Sequence, residues 1–203
     1  MEKAIEVLIG EHRLIEQVLG SLETYAGEVR AGAPLLREVT LDYAQFFREF
    51  ADTCHHGKEE DILFQRLIER GMPKDAGPLA VMLYEHELGR AHVQGLADVG
   101  AAPDLGDRQV HLLLGHADAY VPLLRQHIIK EDRVLYPMAL QMLTGPEMDA
   151  IDTEFEAFAS RLHGSGSGDR LHGLAESLAA RFRPDPVRLA AAAQASHCGV
   201  PAR

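Results

Sequence analysis

Histidine and glutamate recur four residues apart at two distant places in this 203-residue chain, in matched surroundings. His55-His-Gly-Lys-Glu59-Glu-Asp-Ile-Leu63-Phe64 is echoed by His127-Ile-Ile-Lys-Glu131-Asp-Arg-Val-Leu135-Tyr136. Both stretches read His-x-x-Lys-Glu-acid-x-β-branched-Leu-aromatic. On a helix, residues four apart share a face, with Cβ atoms about 6 Å apart. An imidazole and a carboxylate so placed can hold one cation between them. A single pair arises by accident on many surface helices. Two pairs in the same context, each followed by an apolar Leu-aromatic step, point to two halves of one metal site.

The elements that must carry these pairs are helical. An amphipathic segment runs from about Glu2 to Arg30, with Ile5, Leu8, Ile9, Ile15, Leu19 and Leu22 on one stripe. Gly32-Ala-Pro34 ends it, and a second segment from about Leu35 to Arg70 closes at Gly71-Met-Pro73. The third covers about Asp75 to Gly100. Asp107 is the expected N-cap of the fourth, which reaches Leu143 with Pro122 inside it, where a kink is expected. Hairpin signals and alternating strands are absent. The pattern predicts an all-α fold: an up-down antiparallel four-helix bundle over residues 1–145 with a C-terminal helical extension over 146–203. In the extension, Glu147 to Leu162, Leu171 to Phe182 and Leu189 to Ala195 are the helical stretches, and Gly164-Ser-Gly-Ser-Gly168 is a flexible linker.

Each of the four long segments places one histidine on its apolar face. His12 lies among Leu8, Ile9, Ile15 and Leu19, and His86 among Leu79, Met82, Leu83 and Val93. His127 follows Tyr120, Leu123 and Leu124. His12 is 18 residues before Arg30 and His55 is 20 after Leu35, so at 1.5 Å per residue they lie roughly 27 and 30 Å from the same turn. The second helix offers two registers. His55/Glu59 has Phe47 and Ala51 behind it, whereas His56/Glu60 has Glu49, Asp52 and Thr53, a solvent-facing pattern. The first register is the better match to His127/Glu131, with the second kept as the alternative.

The candidate ligands are therefore His12, His55, Glu59, His86, His127 and Glu131. Buried carboxylates need a counter-charge or a metal, or they become neutral. Taken one at a time, His12 or His86 reads as an ordinary hydrogen-bonded core histidine; six convergent groups favour a cation. Imidazole and carboxylate without thiolate suit iron, manganese or zinc. Six ligands exceed the needs of one zinc and fit two ions.

At these residues the chain resembles the hemerythrin-like (HHE cation-binding) family. The resemblance spans about residues 1–143 and rests on Glu11-His12-Arg13, His55-x-x-Lys-Glu59, Glu85-His86-Glu87 and His127-x-x-Lys-Glu131. It implies two iron ions with an oxo or hydroxo bridge, manganese and zinc being less suited. It also implies binding or sensing of dioxygen, peroxide or nitric oxide, with peroxide decomposition as an activity such a site supports. Iron storage, or donation to damaged iron–sulfur proteins, is the alternative function, and the chain lacks a Cys-rich N-terminal segment that would favour it. Turnover itself is left open.

The chain departs from the oxygen-carrying members, which use a His-x-x-x-His pair on the third helix. Here Arg90 stands four after His86, and Asp132 stands five after His127. One metal is thus expected to be short of an imidazole. Tyr120 and Glu16 are the candidate substitutes, and His56, Glu60 and Arg90 are candidates for an additional ligand or a supporting contact. His116, eleven residues from His127 and roughly 16 Å away, is too distant to ligate.

The remaining composition bounds the partners. A net charge of −11 argues against nucleic acid. No run approaches the roughly 20 apolar residues of a membrane span, and the first residues lack the features of a signal peptide, so the expected location is the cytoplasm. Cys54 and Cys198 are too few for a disulfide framework, and Cys54 fits a small buried hydrophobe.

Overall fold

Glycine sets the ends of the first two helices. Helix α1 (Lys3–Arg30) stops where Gly32 takes φ +101°, with Gly32 N–H donating to Val29 and Ala33 N–H to Glu28 at 3.0 Å each. This is the six-to-one and five-to-two pattern of a left-handed helix cap, which a side chain at that position would strain. Helix α2 (residues 37–69) ends the same way at Gly71, φ +94°, with Met72 N–H on Leu67 and Gly71 N–H on Ile68. Helix α3 (Gly77–Ala101) carries Pro78 in its first turn, where no backbone donor is needed. Helix α4 (residues 107–142) has Gly106 at its N-cap. Asp107, expected to cap it, is instead its first residue, where a carboxylate favours the helix dipole. The helix continues unbroken through Pro122.

The computed structural model describes residues 2–163 and 167–197. Three more helices follow: α5 (Gly145–His163), α6 (Ser167–Arg181) and α7 (Pro186–His197). The described residues are all-helical, with no strand. Of the expected linker, residues 164–166 lie outside the described residues, and Ser167 and Gly168 already belong to α6. Cys198 also lies outside them.

Two apolar clusters hold the helices together. One joins Ile15 to Val29 of α1, Leu35 to Ala51 around the start of α2, Val93 to Val99 of α3 and Leu113 to Ile128 of α4. Leu171, Ala175 and Leu178 of α6 and the following Phe182 belong to the same cluster, so the C-terminal helices supply core. The second cluster joins Ala4, Ile5 and Leu8 with Ile62 to Leu67, Leu79, Met82, Leu135 to Leu143 and the α5 residues Met148, Ile151, Phe155 and Phe158. His12, His55, His86 and His127 fall between the two clusters, in a polar layer walled by apolar side chains on both sides. No helix among the described residues is long and apolar enough to cross a membrane.

Two of these helices change their winding at the polar layer. In α2, residues Phe47–His56 and Glu59–Leu63 are π-helical, and in α4 residues Glu131–Leu135 are. The Gly57 N–H reaches back five residues to Asp52, Phe64 to Glu59 and Tyr136 to Glu131. An i→i+5 bond puts more residues into each turn, so successive side chains diverge by less than the α-helical angle of about 100°. Adjacent residues can then address one face. Gly57 has a separate reason to be glycine: a Cβ there would lie 2.6 Å from Cζ of Phe158, which seats α5 on this stretch of α2.

Candidate metal centre

The structure brings His12, His55, Glu59, His86, His127 and Glu131 together, all essentially without solvent exposure. It adds His56. Two sets of donors emerge, each with one atom per residue and all atoms within 4.8 Å of one another: His56, Glu59, His86 and His127, and His12, His55, Glu59 and Glu131. Glu59 belongs to both. Glu131 also reaches the first set, its Oε1 being 3.1 Å from His127 Nε2 and 3.8 Å from His86 Nε2.

Of the two registers, His55 and Glu59 both belong to the donor sets, whereas the second contributes His56 but not Glu60. The two registers exclude each other on an α-helix, but the π-helical winding directs both imidazoles inward. With His56 the two donor sets contain five imidazoles. Tyr120 lies edge-on to Phe47 at 5.0 Å, in the wall of a cavity that also reaches His56. Glu16 joins neither donor set and faces Arg125 at 3.3 Å. Arg90 binds Glu87 at 2.6 Å, Glu60 at 2.7 Å and Asp52 at 2.8 Å. His116 sits against His92 at 3.3 Å. Cys54 is buried, and burial pushes its thiol up to about 11.

Four of the five imidazoles are oriented by a carboxylate on Nδ1, and the four contacts form a ring. Glu11 of α1 accepts from His55 of α2 at 3.0 Å, and Glu60 of α2 from His86 of α3 at 2.6 Å. Glu85 of α3 accepts from His127 of α4 at 3.0 Å, and Asp132 of α4 from His12 of α1 at 2.8 Å. Such a contact fixes the tautomer and turns Nε2 toward the centre. Lys58 pairs with Glu11 and Lys130 with Glu85, while Arg90 holds Glu60. The repeated motif is thereby explained position by position. Its Lys fixes the glutamate of the preceding helix that orients the motif's own histidine, and its second acid orients a histidine on the other neighbouring helix. Its aromatic residue stacks on that same histidine, Phe64 on His86 at 6.0 Å and Tyr136 on His12 at 5.6 Å. The two halves differ at Tyr136, whose hydroxyl donates to Glu59 Oε1 at 2.7 Å, and at His56, which corresponds to Ile128.

Six of the eleven buried side-chain polar atoms left without a hydrogen bond among the described residues belong to the donor sets. They are Nε2 of His55, both nitrogens of His56, Oε2 of Glu59 and both oxygens of Glu131. Buried polar atoms without partners are rare and costly, so a ligand for them is expected. Protons make up part of the deficit. Burial drives the Glu59 carboxyl well up, and the charge of Glu131 adds to it. Burial also opposes ionisation of Glu131, but His127, His12 and His86 outweigh it and hold that carboxyl well below its usual range. Burial disfavours the His12 cation, yet Asp132 and Glu131 carry it up to about 9. Burial takes His55 down to about 4, against the pull of Glu11, and with help from His86 lowers His56 well below its usual range. Such a layer is already built to exchange protons for cations, as metal binding requires. The donor set fits a metal.

The model of the hemerythrin HHE cation binding domain matches residues 3–139. The chain belongs to the hemerythrin family. Uncharacterized proteins of Mycobacterium tuberculosis (strains CDC 1551 / Oshkosh and ATCC 25618 / H37Rv) and of Mycobacterium bovis are each 25% identical to this hemerythrin-family chain over 158 residues. The match takes in 75% of this chain and 60% of each relative's length. No solved structure matches it. Within this hemerythrin domain, the residues that the helical pattern did not single out are Glu11, Glu85, Asp132 and Tyr136 as orienting groups. Their signal was present in the sequence: the Glu-His dipeptides at 11–12 and 85–86, and the acid after each motif glutamate.

Proposed function

We propose that this chain binds two iron ions in the polar layer, with α1–α4 acting as an up-down four-helix frame. His56, His86 and His127 hold one ion and His12 and His55 the other, with Glu59 and Glu131 between them. The observation that carries this reading is the pair of donor sets sharing Glu59, lined by buried atoms that lack hydrogen bonds. Five imidazoles and two carboxylates without thiolate match iron in preference to zinc, and the burial of every ligand supports a resident pair over stored or donated cargo.

When bound, the iron pair supplies redox chemistry and open coordination toward dioxygen, peroxide or nitric oxide, and we assign the chain to binding or sensing one of these. The chain's own residues do the rest. Glu11, Glu60, Glu85 and Asp132 fix the imidazoles so that little reorganisation accompanies loading. Tyr136 keeps one oxygen of Glu59 in a hydrogen bond and leaves the other free for a metal. The two apolar clusters exclude water on either side of the layer. We place this activity in the cytoplasm, with a small molecule and not nucleic acid as partner, in keeping with the charge of −11.

Anaerobic loading of metal-free protein with ferrous iron tests the reading. Two irons per chain are expected, with a near-ultraviolet charge-transfer band that appears on oxidation and is bleached by reductant. One ion or none per chain, or no such band, overturns it. Rapid transfer of the iron to an apo iron–sulfur acceptor would establish donation instead.

A further inference from the structure

Four of the five imidazoles are tied down, and one is not. His12, His55, His86 and His127 each donate Nδ1–H to a carboxylate at 2.6–3.0 Å, whereas neither nitrogen of His56 makes a hydrogen bond. The nearest acid, Asp52, is 3.4 Å from its Nδ1 and is engaged by Arg90 at 2.8 Å. His56 is held by stacking on His86, with ring centroids 3.7 Å apart.

His56 also stands at the inner end of a cavity of about 240 Å³ between α2, α3 and α4, lined by Phe47, Asp52, His56, Gly89, Arg90 and Tyr120 among others. That volume lies below the roughly 300–1,000 Å³ of pockets for drug-sized ligands and suits a molecule of a few atoms. Larger cavities of about 580, 430 and 370 Å³ elsewhere among the described residues are lined by none of the residues of the two donor sets.

Gly89 supports a use for the space. A glycine inside a helix costs roughly 0.5–1 kcal/mol relative to alanine. No positive φ requires it here, and a Cβ would meet only Cε2 of Tyr120, at an ordinary 3.4 Å. What the missing side chain preserves is the cavity. In the other half of the repeat, Gly89, Asp52 and His56 correspond to Ile15, Leu124 and Ile128, all buried apolar residues. Cavity and untethered imidazole therefore occur together, on one side only. At the outer end, the partly exposed Arg90 spans from Glu87 to Glu60 and Asp52.

We propose that this cavity is the route by which a molecule of a few atoms reaches the metal-binding layer, meeting it at His56. The proposal rests on the metal-binding reading above and deepens it.

Two measurements separate the two. On iron-loaded full-length protein, azide association is followed by stopped-flow absorbance, with iron content determined for every variant. Gly89→Leu, at a position outside the donor sets, is expected to keep the wild-type iron content and slow azide association at least ten-fold. Val93→Phe, on the same wall, gives the same slowing if the leucine variant does not fold. Wild-type azide rates in a fully loaded Gly89→Leu or Val93→Phe variant place the route elsewhere. On metal-free protein, xenon is the second probe. A xenon NMR shift present in the wild-type chain and lost in the filled variants supports the cavity, and its absence from the wild-type chain overturns it. Failure of the wild-type chain to take up iron defeats the metal reading alone and leaves the cavity to the xenon result.

Discussion

Replacing Glu11 or Glu85 by glutamine makes the same chemical change in two places whose surroundings differ in one respect. Each glutamate accepts from a ligand imidazole at 3.0 Å and pairs with the motif lysine, Glu11 with His55 and Lys58, Glu85 with His127 and Lys130. In both cases the lysine and imidazole hold the carboxyl below its usual range against the opposing effect of burial. The lysines are not alike. The Lys58 side chain is 3% exposed and that of Lys130 is 37% exposed. Removing one partner of a buried ion pair costs about 3–5 kcal/mol, because the other charge stays behind without compensation. Around a lysine that reaches water the loss is about 0–1 kcal/mol. The Phe155 ring, 5.8 Å from Lys58, offsets little of this. At roughly 2–4 °C per kcal/mol for a domain of this size, Glu11→Gln should lower the Tm of metal-free protein by about 6–20 °C, and Glu85→Gln by no more than about 4 °C. Both should weaken metal binding by about 10–100-fold, as loss of an orienting carboxylate does. Circular-dichroism melts and metal titrations read the two effects separately. Adding Lys58→Met to Glu11→Gln should recover most of the stability and none of the affinity. Equal melting temperatures for the two single variants would refute the burial argument.

Three further outcomes follow from the same contacts. Each ferrous ion at 100 times its Kd should stabilise the chain by about 2.7 kcal/mol, so two ions should raise Tm by roughly 11–22 °C by scanning fluorimetry under nitrogen, and no rise at saturating iron would show that the layer does not take the metal. Phe182, buried and 4.8 Å from the Tyr25 ring, ties the segment after α6 to the core, so Phe182→Ala should cost about 3–5 kcal/mol in urea unfolding; a loss below 1 kcal/mol would make that segment a passive appendage. Glu147 accepts from the N–H of Thr144 and from its hydroxyl, and these bonds, with Arg70, hold its carboxyl at about 2. A folded-state value below the unfolded one gives stability that is present above about 4.5 and lost as pH falls toward 2. Glu147→Gln should therefore flatten the acid limb of the stability curve in that window, whereas limbs that run parallel would exclude the contribution.

Much of the centre was legible because it obeys simple periods. Four histidines and two glutamates fall on apolar stripes at helical spacing, and glycine and proline mark the helix ends where the left-handed caps occur. Within the centre, the placing of His56 and Asp132 was hidden by one cause. A period of 3.6 residues forbids neighbours from facing the same way, so His56 was set against His55 and Asp132 stood outside the site. The π-helical turns at Phe47–His56, Glu59–Leu63 and Glu131–Leu135 relax that rule, and no local residue pattern announces them. The partners of Glu11 and Glu85 were hidden for a different reason. Each lies on another helix, and spacing along one helix says nothing about which neighbour its side chains meet. The tail escaped because its apolar stripes carry no chemistry, although Leu171, Ala175 and Phe182 complete the core.

The ring of acids and imidazoles that runs α1 to α2 to α3 to α4 and back to α1 has no terminal link. An open chain of contacts frays from its ends, and a metal held by one can leave as the last link loosens. A closed circuit offers no such first step, since displacing any helix breaks two links at once, the acid it lends and the acid it borrows. Release of a bound ion then waits on a concerted opening of the frame. The residence time of the metal should thus be governed by the unfolding rate of the bundle more than by the strength of any single coordinate bond.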